Sequence, residues 1–162
     1  MHVTAAEACA VPVDRAVAAM TAYDAWEAAI GRRAPSMERV TEGPIREGTA
    51  WRTTLSLLGA ERHIESALRS VERSGDGGVV LRFDGTAQGV RADVLSRAVP
   101  LGPDRCRIEV EVEMTGESLP GKLLLKGLSV ARGPVEDRLA RGLRRFARNV
   151  EAGTVGPGDG VI

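Results

Sequence analysis

Apolar and polar residues alternate with a period of two through the middle of the chain, between Gly48 and Gly116. This period is typical of β-strands that have one buried and one solvated face. Glycine, proline or aspartate residues divide the stretch into five segments, at 49–58, 61–73, 79–87, 90–99 and 105–115. In the last segment every second residue from Cys106 to Met114 is apolar, and the residues between them are charged. We therefore predict five consecutive antiparallel strands.

The N-terminal part of the chain predicts one strand, a helical region and a short edge strand. Residues 3–11 are mainly small and apolar up to Pro12, which ends a first strand. Pro12 and Asp14 then open a helix, because Asp14 can accept hydrogen bonds from free amide groups in its first turn. Gly31 ends the helical pattern, and the apolar segment 37–40 predicts a brief edge strand.

After Gly116 the apolar period changes from two to about 3.6, which predicts helix. Residues 119–131 are strongly apolar, and Gly133-Pro134 either starts a second helix or kinks a continuous one. The apolar stripe of the second part consists of Val135, Leu139, Leu143, Phe146 and Val150. Its opposite face consists of Arg138, Arg141, Arg144, Arg145 and Arg148. We expect a single domain over residues 1–152 and a flexible tail over 153–162.

Turn positions set the predicted register of the sheet. A turn at Gly59-Ala60 places Thr53 opposite Ser66 and Trp51 opposite Leu68. A loop at 75–78 places Ser70 opposite Phe83 on the same apolar face and Arg69 opposite Asp84 on the polar face. The inward face and the apolar helix opposite it give the candidate ligand-binding residues Trp51, Thr53, Leu55, Ser66, Leu68, Phe83, Val94, Val110, Val112, Met114, Leu124 and Leu128.

The next hairpin contains a conflict. A turn at Gln88-Gly89 aligns Phe83 with Val94, but it also sets Asp84 opposite Asp93, and like charges directly opposite each other repel. We therefore expect a bulge or a different turn at this point.

Composition narrows the classes of partner. The 162 residues are 43% hydrophobic and 27% charged, and their formal net charge is zero, so no overall field attracts nucleic acid. Aromatic residues make up only 3%, which argues against stacking on single-stranded nucleic acid. The start of the chain has no basic leader pattern, and no apolar run reaches the roughly 18 residues of a membrane span. We expect no nucleic-acid partner, no integral membrane segment and a cytoplasmic location.

Few residues offer reactive chemistry. We interpret Cys9 and Cys106 as two reduced thiols in the core. They could form a disulfide bridge if their two strands pair and the setting is oxidising. The two histidines, His2 and His63, are too far apart in sequence to indicate a metal site, and no cofactor is implied. The loop 75–78 resembles a phosphate-binding loop only in its glycines, because no helix with a lysine follows it.

Three segments resemble those of a known family: Val11-Pro12-Val13-Asp14-Arg15-Ala16-Val17, Asp24-Ala25-Trp26 and Arg144-Arg145-Phe146-Ala147-Arg148-Asn149-Val150. With the order of the elements, they are similar to the START/Bet v 1-like (SRPBCC) superfamily over about residues 3–152. That superfamily includes bacterial polyketide cyclase/dehydrase and lipid transport proteins. No individual residue role is transferred to Asp24 or Trp26.

The resemblance implies an α+β helix-grip fold. A seven-stranded curved antiparallel sheet would wrap around a long C-terminal helix, with two short helices after the first strand and a cavity between sheet and helix. Members bind lipids, polyketides, hormones or quinones, and a minority catalyse cyclisation or dehydration. Fold alone does not choose among these activities.

Our leading hypothesis is a noncatalytic binding protein for a small hydrophobic or amphipathic ligand of lipid, polyketide or aromatic type. The alternative is an aromatase/cyclase-like or dehydratase-like enzyme acting on a polyketide or aromatic substrate, which requires an ionisable side chain in the cavity. The side chains considered for that role are His63, Arg69, Asp84 and Asp93. His63 lies near Glu65, as an acid–base pair would, but the alternation places both on the outer face.

A third hypothesis assigns the arginine face of the last helix to an acidic protein partner. The simpler interpretation is a solvated face that pairs with its own acidic residues. Glu109, Glu111 and Glu113 of a second copy would also match it, which would make the protein a homodimer.

Overall fold

A computed structural model describes residues 1–32, 36–57, 60–130 and 132–154 of the chain, with the backbone alone at 55–57 and 60. Most of the predicted tail therefore lies outside the described residues. None of the described helices is both long enough and apolar enough to cross a membrane.

Seven antiparallel strands form one curved sheet. In chain order they are β1 (His2–Cys9), β2 (Ser36–Arg39), β3 (Ala50–Leu57), β4 (Ala60–Arg73), β5 (Val79–Ala87), β6 (Val90–Gly102) and β7 (Arg105–Gly116). Their order across the sheet is β1-β7-β6-β5-β4-β3-β2, so β1 and β2 are the edges. All five strands of the predicted meander and the short edge strand are confirmed.

Four helices complete the fold: α1 (Val13–Met20), α2 (Tyr23–Gly31), α3 (Leu119–Val130) and α4 (Arg132–Glu151). Pro12 precedes α1, and the Asp14 carboxylate accepts a hydrogen bond from the Arg15 amide at 2.9 Å. Pro134 lies in the first turn of α4, where its missing amide hydrogen costs nothing. The predicted choice between a second helix and a kink in a continuous one falls on Ala131, which lies outside the described residues.

The β3–β4 register differs from the prediction by two residues. Trp51 lies opposite Ser66, and Thr53 lies opposite Ile64, so the predicted partners Leu68 and Ser66 are wrong. The hairpin closes between Leu57 and Ala60, one position earlier on each side of the turn than predicted. Because the shift is an even number of residues, each side chain keeps its predicted face.

A register shift in β4 overturns a second predicted pairing. Leu68 lies opposite Phe83, and Ser70 lies opposite Arg82, with the irregularity at Arg69 between them. The predicted pairs of Ser70 with Phe83 and of Arg69 with Asp84 are wrong, because the extra residue moves later side chains to the other face. Val71 consequently packs against the core in place of Ser70. The Arg69 guanidinium still contacts the Asp84 carboxylate, at 2.6 Å.

The β5–β6 hairpin contains the turn at Gln88-Gly89 and no bulge. Both turn residues have positive φ angles, 52° and 75°, as a two-residue hairpin turn of type I′ requires. Asp84 and Asp93 do lie directly opposite each other. Their repulsion is offset because each contacts its own arginine, Arg69 at 2.6 Å and Arg91 at 3.2 Å. The expected bulge or different turn is therefore wrong.

The core lies between the sheet, α1 and the C-terminal half of α4. Its most deeply buried side chains include Leu81, Ile108 and Val150. Cys9 and Cys106 are free thiols that lie directly opposite each other on β1 and β7. Burial raises the pKa of Cys9 to about 12 and also raises that of Cys106, which keeps both thiols protonated.

Candidate functional site

A cavity of about 630 Å³ lies between the concave face of the sheet, the α1–α2 region and α4. Strands supply its floor because alternate residues of β5, β6 and β7 point to this face. Helix α4 covers it with the apolar stripe that contains Val135, Leu139, Leu143 and Phe146. The wall is mostly apolar, and a few polar groups interrupt it.

Five of the candidate ligand-binding residues lie on the cavity wall. They are Trp51, Ser66, Phe83, Val94 and Val110. They come from five different strands, β3 to β7, so the alternation in sequence placed them on the right face even where the register was wrong.

The other candidates lie elsewhere. Thr53 and Leu68 are buried, at 7% and 0% exposure, but they do not line the cavity. Val112 and Met114 lie toward the end of β7 against which α3 packs. The side chain of Leu55 is outside the described part of the chain.

Leu124 and Leu128 lie on α3, which does not contribute to the cavity wall. Leu124 is 41% exposed, and Leu128 is half-buried. The sequence showed an apolar helix before α4, but it did not show that this helix packs beside the cavity against β7.

Several wall residues were not among the candidates. They are Met20, Tyr23, Trp26, Glu27, Ile30, Met37, Leu81, Ser96, Ile108, Val135, Arg138, Leu139, Gly142, Leu143 and Phe146. Leu81, Ser96 and Ile108 are two residues from predicted wall positions, so strict alternation would have found them. The residues of α1 and α2 carried no such signal, because sequence does not determine which face of a short helix meets a distant sheet.

Glu27 connects α2 to two strands at the cavity wall. Its carboxylate accepts hydrogen bonds from Arg39 of β2, at 2.7 and 2.6 Å, and from Trp51 Nε1 of β3 at 2.5 Å. The hydrogen bond from Arg39 is the main reason that the pKa of Glu27 lies below its ordinary value. Glu27 is therefore ionised and already engaged, which makes it a structural anion and a poor proton donor.

Tyr23 contributes the wall's unsatisfied polar atom. Its hydroxyl group is buried and forms no hydrogen bond within the described part of the chain. Burial raises the pKa of Tyr23, against an opposing effect of Arg73, so the phenol stays protonated and can donate a hydrogen bond. A buried hydroxyl without a partner costs about 1–3 kcal/mol. The hydroxyl oxygen itself is enclosed by protein, so a ligand group recovers that free energy only when the side chains around the hydroxyl shift to admit it.

Arg138 is the basic side chain on the wall. No described carboxylate lies within 4 Å of its guanidinium. Helix α4 offers none nearby, since Pro134 and Gly142 occupy the positions four residues away on either side. The arginine face was predicted to be solvated, and Arg138 is exposed, but it also reaches the cavity.

The ionisable residues considered for catalysis lie outside the wall. These residues are His63, Arg69, Asp84 and Asp93. His63 is exposed and its ring contacts Thr54 Oγ1 at 3.2 Å on the outer face of the sheet. Among the described residues, no group of His, Cys, Asp and Glu side chains is arranged to hold a metal ion.

Comparison with known proteins rests on structure. No protein-family model matches the sequence, and no curated protein matches it either. Solved structures do match. The Thermus thermophilus protein TTHA0849 has a TM-score of 0.62 at 15% identity, over 94% of this chain and 99% of that one.

Two enzymes also match. The aromatase/cyclase Zhui from a Streptomyces species has a TM-score of 0.57 at 18% identity, over 85% of this chain and 88% of that one. Norcoclaurine synthase from Thalictrum flavum, in complex with dopamine and hydroxybenzaldehyde, has a TM-score of 0.56 at 16% identity, over 86% and 85%.

The chain has the START/Bet v 1-like helix-grip fold. The predicted fold class, with its seven-stranded sheet, long C-terminal helix and two short helices after the first strand, is confirmed. At these identities the likeness shows the fold alone, so the function of this helix-grip protein has to be argued from its own cavity.

Proposed function

We propose that this helix-grip protein binds a small, largely apolar ligand of lipid, polyketide or aromatic type in the cavity under α4. The supporting observation is the cavity itself, whose volume of about 630 Å³ falls within the roughly 300–1,000 Å³ of small-molecule sites. Its mostly apolar wall favours an apolar body, and its polar groups favour a ligand with one or two polar substituents.

Two wall residues would orient the ligand. Tyr23 would donate a hydrogen bond from its protonated hydroxyl to a carbonyl or similar acceptor. Arg138 would attract an anionic substituent, because no described carboxylate neutralises it. Glu27 would not take part directly, since Arg39 and Trp51 already occupy its carboxylate.

Fluorescent probes test the cavity. Both tryptophans of the chain, Trp26 and Trp51, line it, so a bound probe should quench or accept their emission. Val94 lines the cavity, so the larger side chain of Val94→Phe should fill part of it and abolish binding of the neutral probe N-phenyl-1-naphthylamine. Leu95→Phe is the matched control, because the next residue of β6 points to the opposite face. Equal probe binding by these two variants would refute the proposal.

A charged probe tests the role of Arg138. Anilinonaphthalene sulfonate carries one negative charge, so Arg138→Gln should weaken its binding by roughly tenfold and leave the neutral probe unaffected. Arg141→Gln, on the same helix but away from the wall, should change neither. Parallel loss of both probes in Arg138→Gln would show that this arginine only supports the fold.

An aromatase/cyclase-like or dehydratase-like activity is the second candidate, and Tyr23 favours it. A neutral phenol in an apolar wall can stabilise negative charge that develops on a substrate carbonyl oxygen. A synthetic β-polyketone thioester would then cyclise or lose water in the presence of the protein, and Tyr23→Phe would stop this while retaining probe binding. Absence of any product from wild-type protein that binds the thioester would leave binding as the function.

A further inference from the structure

Helix α3 exposes an apolar face to solvent. Its buried side, with Gly121 and Leu125, packs against the sheet. On the opposite side, positions spaced by four, three and four residues form a stripe that we call the α3 stripe: Leu119, Leu123, Lys126 and Val130. The helix is therefore apolar on both sides, and only one side packs against other parts of the chain that the structure describes.

The α3 stripe carries the most exposed large apolar side chains among the described residues. Val130 is 89% exposed, Leu119 is 73% exposed and Leu123 is 64% exposed. The next values, 51% at Val40 and 47% at Leu101, belong to scattered positions outside α3. Single exposed apolar residues are ordinary on a protein surface, whereas three on one helical face mark an interaction surface.

The stripe is held by a rigidly mounted helix. Ser118 Oγ accepts a hydrogen bond from the Gly121 amide at 3.2 Å and so caps the N-terminus of α3. Gly121 packs so closely on the carbonyl of Gly89 that any side chain there would overlap with it. The β5–β6 turn therefore fixes α3 in place, and its exposed face does not result from a loosely attached segment.

Charge identifies the class of partner. The only two lysines of the whole chain, Lys122 and Lys126, both lie on α3, and residues 119–130 contain no acidic side chain. Both lysines are exposed and stand four residues apart, where like charges repel each other. An anionic surface would relieve that repulsion, and the long lysine stems would let apolar side chains enter the surface while the ammonium groups stay at its edge.

We propose that the α3 stripe docks on an anionic lipid surface. Leu119, Leu123 and Val130 would enter the boundary between headgroups and acyl chains, and Lys122 and Lys126 would contact the anionic headgroups. A second copy of the chain fits less well, because in a two-fold contact the stripe would meet itself and bring all four lysines into one interface. This proposal does not depend on a ligand in the cavity.

Vesicle flotation with the full chain tests the proposal. Wild-type protein should float with vesicles of equal parts phosphatidylglycerol and phosphatidylcholine. Its affinity for vesicles of phosphatidylcholine alone should be roughly thirtyfold lower, as expected for two lysines at an anionic surface. The double variant Leu119→Ser/Leu123→Ser should lose at least about tenfold in binding to the mixed vesicles. Lys122→Gln/Lys126→Gln should lose the preference for phosphatidylglycerol.

Leu101→Ser is the matched control. Leu101 is also an exposed leucine, but it lies next to the β6–β7 hairpin, at the opposite end of β7 from α3. This variant should bind vesicles like the wild type. Because all substituted side chains are exposed, thermal unfolding should confirm that each variant is folded.

Three results would overturn the proposal. The first is wild-type protein that does not float with the mixed vesicles. The second is equal binding by the leucine double variant and by Leu101→Ser. The third is self-association without vesicles, measured by sedimentation velocity, that Leu123→Ser abolishes, because a second copy would then cover the stripe.

Discussion

Removing the Glu27 carboxylate should destabilise the cavity wall measurably. Trp51 is only 6% exposed, so Glu27→Ala leaves its indole N–H without a partner where water reaches poorly. A hydrogen bond to a charged group contributes about 1.5–3 kcal/mol, and the ion pair with Arg39, whose two side chains are 26% and 24% exposed, adds a smaller part. We expect the free energy of unfolding to fall by about 2 kcal/mol, and the melting temperature by roughly 4–8 °C for a chain of this length.

Urea unfolding followed by tryptophan fluorescence and circular dichroism measures this change. Glu27→Gln should lose less than half as much, because its amide oxygen still accepts the bond from Trp51. Asp24→Ala is the control: Asp24 contacts the same Arg39 at 3.2 Å, but its side chain is 94% exposed. If Glu27→Ala and Asp24→Ala unfold at the same urea concentration, the buried hydrogen bond does not carry the stability assigned to it.

The same carboxylate predicts a pH dependence. Because Arg39 lowers the pKa of Glu27 in the folded chain, its contribution to stability is present above the ordinary value of 4.5 and is lost as pH falls through the lowered value. The stability difference between wild type and Glu27→Gln should therefore shrink in acid. A difference that stays constant down to about pH 2 would contradict the ionic role of Glu27.

Three further predictions concern other parts of the fold. Gly121→Ala should lower the free energy of unfolding by about 1–3 kcal/mol, because the new side chain would overlap with the Gly89 carbonyl. Gly127→Ala, on the same helix, meets nothing within 4 Å and should raise the free energy of unfolding by roughly 0.5–1 kcal/mol. Urea unfolding of both variants checks these two changes. Burial raises the pKa of Cys9 to about 12, so the thiol loses its proton at a lower pH in the unfolded chain than in the folded one. The free energy of unfolding should therefore fall above about pH 9, by up to about 1.4 kcal/mol per pH unit. In Cys9→Ala this fall with pH should be less steep. Leu68→Ala, at a side chain with 0% exposure, should cost about 2–5 kcal/mol in thermal unfolding, and a loss below 1 kcal/mol would show that the site collapses around the smaller residue.

Local patterns were sufficient for the elements of this protein. The period of two between Gly48 and Gly116 reflects the geometry of single strands, and the period of 3.6 in the last segment reflects the geometry of single helices, so neither depends on distant contacts. The sheet faces predicted for Trp51 and Ser66 are correct for the same reason. Trp51 and Ser66 line the cavity although their predicted partners were wrong, because an error of two positions leaves a side chain on its own face.

Positions that depend on pairing between segments were decided only by tertiary structure. The irregularity at Arg69 changes the face of Ser70, and nothing in the local pattern marks it, since it reflects how β4 fits against β5. The same holds for Tyr23 and Glu27, which reach the cavity only because α2 packs over the open side of the sheet.

The sequence by itself determined the order of strands and helices, the inward face of the sheet and the apolar stripe of α4. Tertiary structure decided where α3 packs, and so why Leu124 and Leu128 do not line the cavity. It also decided that Arg138 of α4 reaches the cavity wall. The physical reason is that backbone periodicity is a property of neighbouring residues, whereas the composition of a cavity depends on rigid elements meeting across long separations in sequence.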